Sequence, residues 1–174
     1  MKIGLVTCRA EKLRDYFPTA AEPDLLPTEP PFTPDDQLLV NELRRRGHTV
    51  EPVIWGGAVA GLQGSFDRLL IRSPWDYMDS EENRLAFMQW LDELNRAGIP
   101  VDNPPAILSW LTNKRYLLDL ERAGVAIVPT RFVAMGETID LACVFSGPLV
   151  IKPAISAAGA GLVPLQRRTE IDAF

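Results

Sequence analysis

The sequence predicts an α/β fold built on a parallel sheet. Three observations carry that expectation: short apolar runs recur along residues 1–103, helical patterns separate them, and the runs are apolar throughout rather than alternating. Strands apolar on both faces are buried on both faces, which is the condition of a parallel sheet covered by crossover helices.

Each element has a local reason. Lys2–Thr7 is the first strand. A Pro-rich stretch over 18–34 follows as an irregular excursion. Residues 33–47 form a helix: Thr33 caps it, Pro34 suits its first position, and Asp35 and Asp36 complement its positive end. Leu38, Leu39, Val40 and Leu43 supply its apolar face, and Arg44, Arg45, Arg46 and Gly47 close it. Strands are expected over 49–55 and 67–72, a long helix over 80–97 stopped by Gly98, and a short fourth strand over 99–102. Such sheets bind ligands at the carboxyl ends of their strands. Those ends carry Cys8-Arg9, Trp55-Gly56-Gly57 and Arg72-Ser73-Pro74-Trp75-Asp76-Tyr77.

Beyond Asn103 the pattern changes. A Pro-rich turn and a short helix through Trp110 lead to a helix over 114–123, with Gly124 as its stop. A strand over 126–133, interrupted by Pro129, is expected at a sheet edge. A helix over 138–145, a strand over 149–152 and a strand over 162–165 follow, and Thr169 caps the start of another helix. The segments are therefore 1–103, a linker over 104–124, and the start of a second domain over 125–174.

Composition narrows the function. With 174 residues, 47% apolar, the chain can bury a core, and a net charge of −5 argues against non-specific nucleic-acid binding. No apolar run approaches the ~18 residues of a membrane span, and the amino terminus reads as a strand, so a soluble cytoplasmic protein is expected. Two cysteines, Cys8 and Cys143, and one histidine, His48, do not make a disulfide framework, a zinc centre or a His-based triad. Cys8 reads as a small buried hydrophobe and His48 as a turn residue. Trp75, Trp90 and Trp110 read as core or domain-interface residues. A nicotinamide- or flavin-binding Rossmann enzyme is disfavoured, because the first strand runs into Thr7-Cys8-Arg9-Ala10 with no GxGxxG.

The strongest functional pattern is Leu149-Val150-Ile151-Lys152-Pro153 running into Ala154-Ile155-Ser156-Ala157-Ala158-Gly159-Ala160-Gly161. A strand delivers a lysine, and a loop of small residues lets backbone N–H groups approach phosphate oxygens. The bland alternatives are a solvated lysine and a plain hairpin turn. Arg72 could pair with Asp76 or clamp a substrate carboxylate through its planar fork, and both readings stand open. For Asp76 and Tyr77, capping or packing competes with a substrate role.

Three segments together resemble the ATP-grasp superfamily, in its glutathione-synthetase-like branch: 71–77, 103–117, and 124–130 leading to Val150-Ile151-Lys152-Pro153. The resemblance spans the chain and implies a Rossmann-like pre-ATP-grasp domain followed by the first, incomplete part of an ATP-grasp α+β domain. By matching positions it implies that Lys114, Lys152 and the loop residues Ser156, Ala157, Ala158, Gly159 and Gly161 bind ATP, with Arg72 and Asp76 at the substrate. Alanines stand at 157, 158 and 160, where relatives are often richer in glycine. The expected cofactors are ATP and Mg2+, with the metal ligands and adenine hinge beyond Phe174 and no catalytic residue assigned. The implied activity joins a carboxylate and an amine, or a similar nucleophile, through an acyl phosphate on a small amino-acid-like molecule. Relatives often form dimers or tetramers, although the sequence is silent on a homo-oligomer. The chain is accordingly read as an N-terminal portion, inactive by itself; the alternative is a non-catalytic nucleotide-binding or regulatory module.

Overall fold

The computed structural model describes residues 1–9, 11–12, 32–140, 147–156 and 161–165. It divides into two compact units, Met1–Leu108 and Ser109–Phe174.

The first unit is a four-stranded parallel sheet with helices on both faces. Its elements are β1 (Lys2–Thr7), α1 (Pro34–Arg45), β2 (Thr49–Ile54), β3 (Arg68–Ser73), α2 (Glu81–Arg96) and β4 (Val101–Asp102). The spatial order is β2-β1-β3-β4, with Leu5 opposite Pro52 on one side and Leu70 on the other. The chain steps from β1 to β2, then returns past β1 to place β3 on its far side. The switch point of this sheet therefore lies between β1 and β3, where ligand crevices open.

Alternation along the strands sorts the core into two layers. Val6, Val53, Leu69 and Ile71 pack with Phe87, Trp90, Leu91 and Leu94 of α2, whose i, i+3, i+4, i+7 spacing makes one apolar stripe. Ile3, Leu5 and Val50 pack on the opposite face with Phe32 and with Val40, Leu39 and Leu43 of α1. Leu38, expected on that face, is instead 70% exposed, because its neighbours Leu39 and Val40 take the buried side of the helix. Gly4 is required by packing: a Cβ there would lie 2.6 Å from Leu69 Cδ2 and 2.9 Å from Val53 Cγ2. Thr33 caps α1 by accepting from the Asp36 N–H at 3.0 Å, and Ser80 caps α2 by accepting from Asn83 N–H at 3.0 Å.

The helix α3 (Pro105–Leu111) leads out of this unit. The second unit contains α4 (Tyr116–Arg122) and an antiparallel pair, β5 (Leu149–Ile151) and β6 (Val163–Leu165), with Ile151 opposite Val163. Three expectations are corrected or bounded here. Residues 126–133 form no strand, since Pro129 lacks an N–H and no described segment pairs with them. Thr138, Ile139 and Asp140 are not helical, and the remainder of the helix expected over 138–145 lies outside the described residues, as does the helix capped by Thr169. Lys114 sits in the turn before α4 rather than in its first turn.

Candidate functional site

Two clusters of polar side chains stand out, one in each unit. The first occupies the carboxyl edge of β1 and β3. The Cys8 N–H donates to the Ser73 carbonyl at 2.9 Å, holding the two strand ends together. Behind this joint lie two fully buried aspartates, Asp36 and Asp76. Asp36 accepts from Ser73 Oγ at 2.5 Å and from Arg72 Nε at 3.1 Å. Asp76 accepts from the Trp55 indole N–H and from Arg9 Nε, the latter at 3.4 Å. The Asp76 carbonyl in turn accepts from Asn83 Nδ2 at 3.0 Å, fixing the 3-10 turn Trp75–Met78 on which Asp76 rides.

This arrangement changes three expectations. Arg72 does not pair with Asp76; it pairs with Asp36, from the first turn of α1. Asp36 does more than complement a helix end, because its carboxylate is directed at the sheet edge and closed to solvent. Asp76 itself is 0% exposed, so its carboxylate is used inside the protein. Sequence reasoning placed Arg9 at a strand end but gave it no partner, and the Asp36–Arg72 pairing spans 36 residues with no local signal.

The neighbours of this edge are structural. Trp90 is buried and its Nε1 donates to the Gly57 carbonyl at 3.0 Å, while Tyr77 stacks on Phe87 with centroids 4.5 Å apart. Burial, reinforced by the Asp76 charge, pushes the Cys8 thiol up to about 11, which keeps it protonated and inert.

The second cluster belongs to the hairpin of β5 and β6. The Lys114 N–H donates to the Ala154 carbonyl at 2.8 Å, and its Nζ donates to the Ser156 carbonyl at 2.9 Å and Oγ at 2.7 Å. A lysine 42 residues upstream is thereby brought onto the loop that leaves Lys152. Partial burial, then repulsion from Lys152, lowers the Lys114 pKa below its ordinary value. Lys152 stands exposed at the end of β5. Gly161 closes the loop at φ +69°, with a Cβ position only 2.7 Å from Pro153 Cγ, so glycine is needed twice over. Ala157, Ala158 and Gly159 lie outside the described residues. Trp110, expected in a core or interface, is 37% exposed and donates to Asp119 Oδ2 at 2.8 Å.

No group of three or more His, Cys, Asp or Glu that could hold a metal ion occurs among the described residues. No helix is long and apolar enough to cross a membrane among them.

The fold and the polar edge define an open parallel α/β domain whose strand order switches between β1 and β3. Residues 3–103 match the family described as the D-cycloserine synthetase DcsG, N-terminal domain, and the chain belongs to that family. The cycloserine biosynthesis protein DcsG of Streptomyces lavendulae is 30% identical over 107 residues, covering 62% of this chain and 34% of that protein. The crystal structure of D-cycloserine synthetase DcsG superposes with a TM-score of 0.66 at 22% identity, covering 99% of this chain and 53% of that one. The chain thus spans about half of the solved relative and a third of the length of the curated one.

Proposed function

We propose that this chain is the N-terminal part of an ATP-dependent ligase that joins a carboxylate to an amine or similar nucleophile through an acyl phosphate. The single observation that carries the reading is the convergence of Lys114 and Lys152 on one small-residue loop, with Lys114 Nζ on Ser156. Partial burial and then the Lys152 charge disfavour the Lys114 ammonium, a bound anion would offset both, and a triphosphate supplies one. The family membership supports the ligase class, since the relatives it names are synthetases.

In this reading Lys114, Lys152 and the backbone of residues 156–161 hold the phosphates of ATP. A substrate carboxylate oxygen attacks the γ-phosphorus, ADP leaves, and the nucleophile then displaces phosphate from the acyl phosphate. The lysines spread the negative charge that builds on the transferring group. Magnesium would supply neutralisation of the charge on the transferring group, and no group of carboxylates to hold it occurs among the described residues. In this reading the substrate end lies at the β1/β3 edge, where Arg72 meets a small amino-acid-like molecule and the buried Asp76 supports the edge from within.

Calorimetric titration with ATP tests the proposal. Lys152→Ala is expected to weaken ATP binding at least tenfold, and more than Lys114→Ala does. Equal ATP affinity in the parent and Lys152→Ala would remove the nucleotide from this loop.

A further inference from the structure

Lys114 is tied to the hairpin loop twice, through its backbone and through its side-chain end. Its N–H donates to the Ala154 carbonyl at 2.8 Å, so the residue is pinned beside the chain that leaves β5. Its ammonium donates to the Ser156 carbonyl at 2.9 Å and to Ser156 Oγ at 2.7 Å. An ammonium has three N–H donors and no acceptor, and Ser156 takes two of the three. Both bonds are charge-assisted, the stronger class.

Pinning and holding are separable. The backbone bond fixes where the side chain starts, and its flexible four-carbon stem lets the ammonium exchange acceptors without moving that anchor. Partial burial, and then the neighbouring Lys152, work against the charge on Lys114. Against these, Ser156 offers a carbonyl and a hydroxyl, which carry partial charges only. A phosphate oxygen carries a formal negative charge and is the stronger acceptor. The ammonium thus has a neutral partner within its own unit and a better, ionic one in any phosphate that reaches it.

We infer that Ser156 and a bound phosphate compete for the Lys114 ammonium, so that the Lys114–Ser156 contact is a latch released by anion binding. Ser156 sets the affinity through Lys114, and its hydroxyl does not touch the ligand. While the latch is closed the ammonium is unavailable, and the apparent affinity falls with the fraction of molecules in which it is free. The naming of the anion as ATP rests on the proposed function; the competition itself rests on the geometry of the second unit.

Calorimetric titration with ATP and with tripolyphosphate tests the latch, on the parent, Ser156→Ala, Lys114→Ala and the double variant. Ser156→Ala removes the hydroxyl acceptor and keeps the carbonyl. It is expected to tighten anion binding by about threefold or more, since a competing charge-assisted bond is gone. In the Lys114→Ala background the same substitution is expected to change nothing, because no ammonium remains to be latched. A serine hydroxyl that donates to the phosphate would instead weaken binding in both backgrounds when removed, and that result overturns the inference. Unchanged affinity in Ser156→Ala, or equal tightening in both backgrounds, overturns it too. Nitrogen-15 spectra of the lysine ammonium groups give a second readout: the Lys114 signal should move on Ser156→Ala, and a signal indifferent to that change sinks the latch. ATP binding without the tightening would remove the latch and leave the ligase reading. Tightened tripolyphosphate binding without ATP binding would leave the latch and remove the nucleotide, and binding of neither anion overturns both.

Discussion

The two units bury their apolar residues very differently. Of the seventeen buried apolar residues described, sixteen lie in Met1–Leu108 and one, Leu165, lies in Ser109–Phe174. The first unit sandwiches its sheet between two helices, so β1, β2 and β3 contribute side chains to both layers. In the second, Val128 is 82% exposed, Met135 is fully exposed and Val150 is 53% exposed. The candidate sites inherit the difference. The arginine–aspartate edge is anchored from behind by a packed core, whereas the Lys114–Ser156 cluster rests on hydrogen bonds between a turn and a hairpin loop. The first candidate site is backed by buried side chains, and the second by a few hydrogen bonds.

Core substitutions expose this contrast most strongly. Phe87→Ala is expected to destabilise the first unit by about 3–5 kcal/mol, by the loss of a buried aromatic and the cavity it leaves. Val128→Ser should change stability by no more than about 0.5 kcal/mol. Urea unfolding followed by circular dichroism compares them, and equal losses would mean that the second unit has a core of its own.

Asp36→Ala comes next. It leaves Ser73 Oγ without its acceptor and the Arg72 guanidinium without its counter-charge, and removing one member of a buried pair costs about 3–5 kcal/mol. Because Arg72 remains 42% open to water, the lower end of that range is expected. A loss below about 0.5 kcal/mol in the same urea experiment would mean that water replaces Asp36 without penalty.

The lysine cluster should answer to ligand and to pH. The Lys114 pKa is lowered in the folded unit, so its charged form is the disfavoured one there. The cost is present in full below the lowered pKa and is relieved as pH rises through it towards 10.5, the unperturbed value. Bound ATP should raise the Lys114 pKa by supplying opposite charge. Carbon-13 titration of the lysine side chains checks this, and an unchanged or further lowered pKa with ATP bound would place the phosphates elsewhere.

The smallest expected effect is chemical. With its thiol pushed up to about 11, Cys8 should be alkylated by iodoacetamide at pH 8 far more slowly in the folded protein than in urea, as read by peptide mass mapping. Similar rates would show that the β1/β3 joint opens readily.

Much of the first unit was legible along the chain because its signals are local. Thr33 and Ser80 announce their helices one residue ahead, and the apolar spacing of Phe87, Trp90, Leu91 and Leu94 sets the buried face of α2. The second unit was less legible. Residues 126–133 carry β-branched residues in a strand-like pattern, yet a strand needs a partner to accept its hydrogen bonds, and none is supplied by the described residues. Lys152 and the small residues behind it stood out as a motif, whereas the contact of Lys114 with Ser156 depends on a chain reversal that no local pattern encodes.

By itself, then, the sequence determined which segments are strands and helices in the first unit, since capping, periodicity and turn chemistry act over a few residues. It also placed arginines and a lysine at strand ends, where they became candidates for binding. Only the tertiary structure decided which charges are paired. Asp36 and Asp76 meet Arg72 and Arg9 across 36 and 67 residues, because parallel pairing of β1 with β3 brings their carboxyl ends together. A buried carboxylate takes whichever donors the fold delivers, and that delivery is a property of the sheet order rather than of any local stretch of chain.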